Sequence, residues 1–270
     1  MQGITTYQKI YYTLRVTMAM CFIGHGAFGI ITKQIWCNYF AVFGIGNNLA
    51  YQLMPPLGAV DIIMGLIILF YPIRAIVLWL FIWGLVTALL RPLSGEHVAE
   101  VFERAGNYGA PLVMLLLTGS KINPFKELLT PVALSVVPDQ KTKQVLSVSL
   151  RLIVFMLLAG HGWLNLIEKN ALIQQYASLG FSDPAQIAHY AGIFEITAAF
   201  VLLMRPFGYL LLVVLVWKLS TELLHQHYAL FEWIERGGSY GCILALWFLV
   251  TSKNVLFPRI PKINLSISGY

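Results

Sequence analysis

Long apolar stretches separated by short polar segments are the feature that most limits the folds open to this chain. They lie at 11–31, 55–71, 73–91, 107–119, 147–167, 187–204, 207–225 and 238–252. Most are long enough to cross the roughly 30 Å hydrocarbon core of a bilayer as helices. Only 11% of the residues are charged, against about 25% in soluble proteins. Because the runs also lack the alternation of membrane strands, we expect an all-α polytopic membrane protein with eight transmembrane helices.

The two halves of the chain repeat one another. Gly24-His25-Gly26 returns as Gly160-His161-Gly162, and the segment that begins Glu103-Arg104 returns as Glu235-Arg236. Such self-similarity indicates a duplicated structural unit. Since each unit has an even number of crossings, we predict two parallel four-helix repeats about a pseudo-twofold axis along the membrane normal. The predicted domains are a first repeat (1–119), a cytoplasmic linker (120–146), a second repeat (147–252) and a cytoplasmic tail (253–270).

The distribution of Lys and Arg predicts the orientation in the membrane. Loops and termini on the side that holds both chain ends carry ten of these residues, and the loops on the opposite side carry five. Cytoplasmic loops are the ones enriched in Lys and Arg. We therefore expect an integral protein of a bacterial inner membrane, with both termini cytoplasmic. The net charge of +6 then reflects topology and lipid headgroups, and nucleic acid is not an expected partner.

Polar residues recur at matched positions of the two halves, although the apolar background has drifted. The predicted topology places them in or near the outer half of the bilayer, where ionisable side chains are costly unless they are paired or face a cavity. We predict an outward-facing polar pocket in each half, or one shared pocket at the pseudo-twofold axis. The candidate ligand-binding residues are His25, Asp61, Arg91, Glu103, Arg104, Asn107, Tyr108, Glu235, Arg236 and Tyr240.

Structural roles compete with this interpretation of the repeated residues. An acidic residue before a helix favours the positive end of the helix dipole, and a neighbouring arginine can lock a loop, which would explain Glu103-Arg104. A buried, hydrogen-bonded role between close-packed helices is the alternative for His25 and His161. Arg15 and Arg151 are expected to anchor the cytoplasmic ends.

One further pair of repeated positions is also expected to be structural. Trp83 and Trp217 lie one helical turn before Thr87 and Thr221. Packing and helix-to-helix hydrogen bonds explain this spacing better than a substrate platform does.

The two halves differ at three neighbouring polar positions. Gly84, Ala88 and Arg91 correspond to Lys218, Glu222 and His225. A Lys and a Glu four residues apart share a helix face and can neutralise each other, whereas closely spaced titratable groups can also pass a proton. The candidate catalytic residues are His161, Glu195, Lys218, Glu222 and His225. If only one half is active, these changes favour the second.

Several common kinds of chemistry have no motif in this sequence. The chain has no Gly-rich phosphate loop, no His-Glu-x-x-His and no Cys-x-x-Cys. The three cysteines have no counterparts in the other repeat and form no close pair. We expect no nucleotide, thiol-redox or metal site.

A short pattern in each half resembles the DoxX-like membrane proteins. In the first half it comprises Arg15, Gly24, Gly26, Lys33, Asp61, Gly65 and Arg74, and in the second half Arg151, Gly160, Gly162, Glu195 and Arg205. The resemblance covers both repeats and implies a tandem version of a four-helix unit. It also implies a membrane partner of oxidoreductases, with a quinone as the possible cofactor and a membrane or periplasmic protein as the possible partner.

Three functions are compatible with these observations, and whether the protein is an enzyme is left open. The first is a redox- or quinone-linked subunit in which His161, Glu195 and His225 exchange protons; a haem held by His25 and His161 is a less favoured variant. The second is a transporter or binding protein for a small molecule, an anion or a lipid, with arginines as donors. The third is an accessory subunit of a larger complex, with its polar cluster as internal glue. In each case the lipid bilayer is a partner.

Overall fold

The computed structural model describes residues 4–119, 128–132, 138–224 and 229–252, which form twelve helices and no β-sheet. The helices of the first half are α1 (Thr6–Ile30), α2 (Trp36–Ala41), α3 (Asn47–Phe70), α4 (Arg74–Leu93), α5 (Ala99–Glu103) and α6 (Ala105–Thr118). Those of the second half are α7 (Gln140–Leu166), α8 (Asn170–Ser178), α9 (Pro184–Met204), α10 (Gly208–Glu222), α11 (Ala229–Glu235) and α12 (Gly237–Thr251). The predicted tail and much of the predicted linker lie outside the described residues.

The helix order of the first half is repeated in the second. Each half begins with a long helix and a short one, continues with two longer helices, and ends with a short helix followed at once by a closing helix. This confirms the all-α class. The four short helices α2, α5, α8 and α11 were not predicted, because they lie in the more polar segments between the apolar runs.

Five helices, α1, α3, α4, α7 and α9, are long and apolar enough to cross a membrane. The prediction of eight full-length spans is therefore confirmed only in part. Helices α6 and α12 are apolar but have 14 and 15 residues, because the backbone leaves the helical path at Arg104 and Arg236. Helix α10 also has 15 residues. Helix α3 begins at Asn47, ahead of the apolar stretch, and continues through Pro55 and Pro56.

The arginines near the start of each half cap a neighbouring helix. Arg15 Nε donates to the carbonyl of Leu69 at 2.8 Å, and Arg15 Nη2 donates to that of Phe70 at 2.7 Å. Arg151 Nη2 donates in the same way to Met204 at 2.6 Å. The last carbonyls of a helix have no intrahelical partner and carry the negative end of its dipole, so a guanidinium there stabilises the helix. These residues therefore fix the ends of α3 and α9 as well as lying near a helix end.

The two halves pack against each other reciprocally. Helix α5 of the first half packs on α7 of the second, and α11 of the second half packs on α1 of the first. Helices α6 and α12 cross between them, where a Cβ atom on Gly106 would collide with the backbone of Ser239. Buried side chains of both halves, such as Leu14 and Leu157, belong to one continuous core. The duplicated units are thus halves of a single body.

Candidate functional site

The repeated Gly-His-Gly element is the place where each half receives the other. A Cβ atom on Gly24 would collide with the backbone of Glu235 in α11, and one on Gly160 would collide with that of Glu103 in α5. The glycines therefore let a helix from the opposite half approach α1 and α7 at backbone distance. This approach places each Glu-Arg pair beside the histidine of the other half.

A histidine and a carboxylate form a direct pair in each half. The Nδ1 atom of His25 lies 2.7 Å from Oδ2 of Asp61, and Nδ1 of His161 lies 2.6 Å from Oε2 of Glu195. At these distances Nδ1–H donates to the carboxylate. The bond orients the imidazole ring and leaves Nε2 as the atom that can exchange a proton. From the sequence, Arg91 and His225 are the possible ion-pair partners of Asp61 and Glu195, whereas the structure pairs these carboxylates with His25 and His161.

The pair in the second half is enclosed by further hydrogen bonds. Trp217 Nε1 donates to Glu195 Oε1 at 2.8 Å, and Tyr176 Oη donates to Asn165 Oδ1 at 2.8 Å. The Asn165 amide donates in turn to the His161 carbonyl at 3.1 Å. Glu195 and Asn165 are completely buried. This site uses its polar atoms internally, as expected of a stable buried network.

The pair in the first half is less completely bonded. Asp61 is one methylene group shorter than its counterpart Glu195, and it receives no hydrogen bond from Trp83. The indole Nε1 of Trp83 is buried without a partner among the described residues, and the same is true of Oδ1 of Asn107. A buried polar atom without a partner costs about 1–3 kcal/mol. Buried atoms without a hydrogen-bond partner occur at other described side chains too, for example Lys218 Nζ and Tyr240 Oη, but here an unpaired donor and an unpaired acceptor belong to neighbouring parts of one wall, where a water or a ligand could complete them.

These unpaired atoms belong to residues that line a cavity of about 140 Å³. An engineered cavity of about 150 Å³ in another protein holds benzene, so there is room for a small ring. Aromatic and aliphatic side chains form most of the wall, and six other residues with polar or charged side chains contribute to it: His25, Thr87, Arg91, Arg104, Asn107 and Glu235. The wall contains side chains from both halves, since Glu235 belongs to α11.

The two halves differ in the size and charge of two side chains on matched helices. Gly84 in α4 corresponds to Lys218 in α10, and Ala88 corresponds to Glu222. The Lys218 ammonium lies 3.1 Å from the Glu222 carboxylate, and both side chains are buried. The second half thus has a buried ion pair at the positions where the first half has Gly84 and Ala88, which pack against neighbouring residues and do not line the cavity. The cavity lies in the first half, not in the half that the sequence favoured.

A continuous chain of buried ion pairs joins the two halves. It runs through Lys218, Glu222, Arg236, Glu103, Arg104 and Glu100. Glu103 is the central member, because it binds Arg104 of its own half and Arg236 of the other. Arg104 also donates to Glu100 at 2.6 Å, and Arg236 lies 3.6 Å from Glu222. Most of the predicted charged residues therefore neutralise one another.

The α2 and α5 side of the cavity is fixed by a smaller group of polar side chains. Tyr39 Oη donates to Glu96 at 2.6 Å, and Arg91 lies 3.2 Å from the same carboxylate. Burial raises the pKa of the Tyr39 phenol, so this side chain remains a neutral donor. Burial opposes ionisation of Glu100, but Arg104 and Lys169 outweigh this effect and lower its pKa. The negative charges of Glu96 and Glu100 therefore compensate the positive charges of the arginines and the lysine that contact them.

The structure sorts the predicted site residues into groups. Cavity-lining residues are His25, Arg91, Arg104, Asn107 and Glu235, with Asp61 behind His25. The ion-pair chain contains Glu103, Arg236, Lys218 and Glu222. The enclosed second site contains His161 and Glu195. Tyr108 donates to the Val101 carbonyl at 3.1 Å, and Tyr240 contacts the ring of Trp233. His225 lies outside the described residues.

Sequence reasoning missed the aromatic part of the cavity. Trp36, Tyr39, Trp83 and Thr87 all line it, whereas Trp83 and Thr87 were expected to serve packing alone. The change of Glu195 to Asp61 beside a retained Trp83 was the available signal, because it removes the partner of an indole N–H. Trp36 and Tyr39 have no aromatic counterparts at matched positions, where the second half has Leu172 and Gln175.

Known proteins add no identity to this geometry. Comparison with protein-family models, with curated proteins and with solved structures found no match to this chain. Within the described ranges, no three His, Cys, Asp or Glu side chains are grouped in a way that could hold a metal ion. The arrangement itself therefore defines the class: a helical, membrane-compatible protein with a His–carboxylate pair in each half and a polar cavity beside the pair of the first half.

Proposed function

We propose that this chain is an integral membrane protein that binds a small, membrane-soluble molecule in the cavity of its first half. The observation that carries the proposal is the buried indole N–H of Trp83, which lines the cavity without a partner, while the matched N–H of Trp217 is bonded to Glu195. A ligand with an acceptor group would satisfy Trp83, and one with a donor would satisfy Asn107.

The His25–Asp61 pair gives the cavity a site for proton exchange. Its Nδ1 atom is committed to Asp61, and Nε2 has no hydrogen-bond partner among the side chains described. A histidine held in this way can deliver or accept one proton at Nε2. This supports a proton-linked role for the bound molecule. A quinone ring, which the resemblance to DoxX-like proteins implies, remains one predicted ligand of this kind.

The pairing of the arginines argues against a dedicated anion site. Arg91, Arg104 and Arg236 each have carboxylate partners, so their charge is already compensated. The same pairing favours the view that part of the predicted cluster is internal glue, as expected for an accessory subunit. Within this proposal, Glu103 and its arginines hold the halves together and the cavity binds the ligand.

Matched tryptophan variants test the binding site. Calorimetric titration of the purified protein in detergent with a short-chain benzoquinone is expected to give saturable binding. Trp83→Phe should weaken it by about two- to twelvefold, because a hydrogen bond contributes about 0.5–1.5 kcal/mol. Trp217→Phe should leave the affinity unchanged and lower thermal stability instead. Equal affinities for both variants and the parent protein would exclude Trp83 from the site.

The bacterial inner membrane and the cytoplasmic termini also remain part of this proposal. Five apolar helices support insertion, and the excess of Lys and Arg on the side of the termini supports the orientation. A C-terminal fluorescent-protein fusion should fluoresce in a bacterial host, whereas a C-terminal alkaline phosphatase fusion should be inactive. An active phosphatase would reverse the orientation.

A further inference from the structure

Lys218, the residue of the second half that corresponds to Gly84, carries a buried amine. Lys218 places its ammonium group 3.1 Å from Glu222, and its positive charge also acts on Glu195. Only 3% of the Lys218 surface is exposed. The first half has Gly84 at the matched position, so it has no counterpart of this charge.

A buried carboxylate that no described cation contacts lines the cavity of the first half. Glu235 is 5% exposed and lines the cavity, yet it forms no hydrogen bond or ion pair with any described residue. Its counterpart Glu103 is equally buried and receives both Arg104 and Arg236. Because both guanidinium groups contact Glu103, no cation among the described residues is in direct contact with Glu235. Burial raises the pKa of the Glu235 carboxyl, but the nearby charges of Arg236, His25, Arg104 and Lys33 outweigh this effect and lower it. Buried carboxylates are normally paired.

The walls around Glu235 are of the kind that accept a cation. Trp36, Tyr39, Phe40 and Trp83 line the same cavity, and aromatic faces attract ammonium groups, most strongly when these are desolvated. Two cations, Arg91 and Arg104, also lie in the wall, but Glu96, Glu100 and Glu103 neutralise them.

We infer that the ligand of the first-half cavity carries a protonated amine, which pairs with Glu235 between aromatic rings. The inference rests on the proposed binding function and names a ligand class different from the quinone. The ligand is small, with a ring of about benzene size attached to the amine, because the cavity measures about 140 Å³.

Two probes of equal shape test the charge requirement. Phenethylamine and phenethyl alcohol, titrated into the purified full-length protein in detergent at neutral pH, differ in the ammonium group. We expect the amine to bind at least tenfold more tightly. Glu235→Gln should abolish that preference while alcohol binding is retained. Glu232→Gln, a control on the same helix whose carboxylate binds Lys33 at 2.5 Å, should preserve the preference.

Alcohol binding as tight as amine binding, or an unchanged preference in Glu235→Gln, would overturn the inference and leave the cavity standing. Failure of both probes and of the benzoquinone would overturn the proposed function as well.

Discussion

At the scale of single residues, one methylene group separates the two His–carboxylate sites. Glu195 reaches both His161 and Trp217, whereas Asp61 reaches His25 alone. Asp61→Glu should therefore let the first site close on itself. We expect the melting temperature to rise, in line with a net gain of about 1 kcal/mol for one hydrogen bond, and benzoquinone binding to weaken.

The reverse change in the second half is the matched control for this prediction. Glu195→Asp should remove the bond from Trp217 and lower the free energy of unfolding by about 1–3 kcal/mol, because it strands a buried indole N–H. Ligand binding should not change. Thermal unfolding in detergent, followed by circular dichroism, measures both variants. A stabilised Glu195→Asp protein would contradict the explanation from side-chain length.

At the scale of helices, the close approach of α11 to α1 depends on Gly24. An added Cβ atom meets the backbone of Glu235, which cannot rotate away as a side chain could. Gly24→Ala is expected to lower the free energy of unfolding by about 1–3 kcal/mol, the usual range for overpacking. It should also weaken ligand binding, because α11 carries Glu235 into the cavity.

The same substitution at Gly84 is the control for helix propensity. Its nearest neighbour would be the Asn107 carbonyl oxygen at 3.3 Å, a contact that a small shift relieves. Alanine is favoured over glycine within a helix by about 1 kcal/mol, so Gly84→Ala should be close to neutral. If Gly84→Ala lowered the free energy of unfolding as much as Gly24→Ala, the effect at Gly24 could not be attributed to the close approach of α11 to α1.

Helix positions were largely predictable from the sequence, whereas the shape of the site was not. The apolar runs located the long helices, and the repeated polar residues were predicted to lie in one layer. What the pattern could not give was the partner of each residue. Glu235 enters the first-half cavity through reciprocal packing, which depends on distances between helices far apart in the chain.

At the scale of the whole molecule, Glu103 and Glu235 occupy matched positions with different roles in holding the halves together. Both are 5% exposed, but Glu103 binds Arg104 and Arg236 while Glu235 has no such contact within the described chain. Removing one partner from a buried ion pair costs about 3–5 kcal/mol, because a charge is left uncompensated. Glu103→Gln should therefore lower the free energy of unfolding by about that amount, and Glu235→Gln by less than about 1 kcal/mol. Thermal unfolding of the two variants side by side compares the same chemical change at equal burial. Equal losses of stability would mean that the ion-pair chain adds nothing beyond burial. A larger loss for Glu235→Gln would mean that the contacts at the cavity, not the ion-pair chain, hold the two halves together.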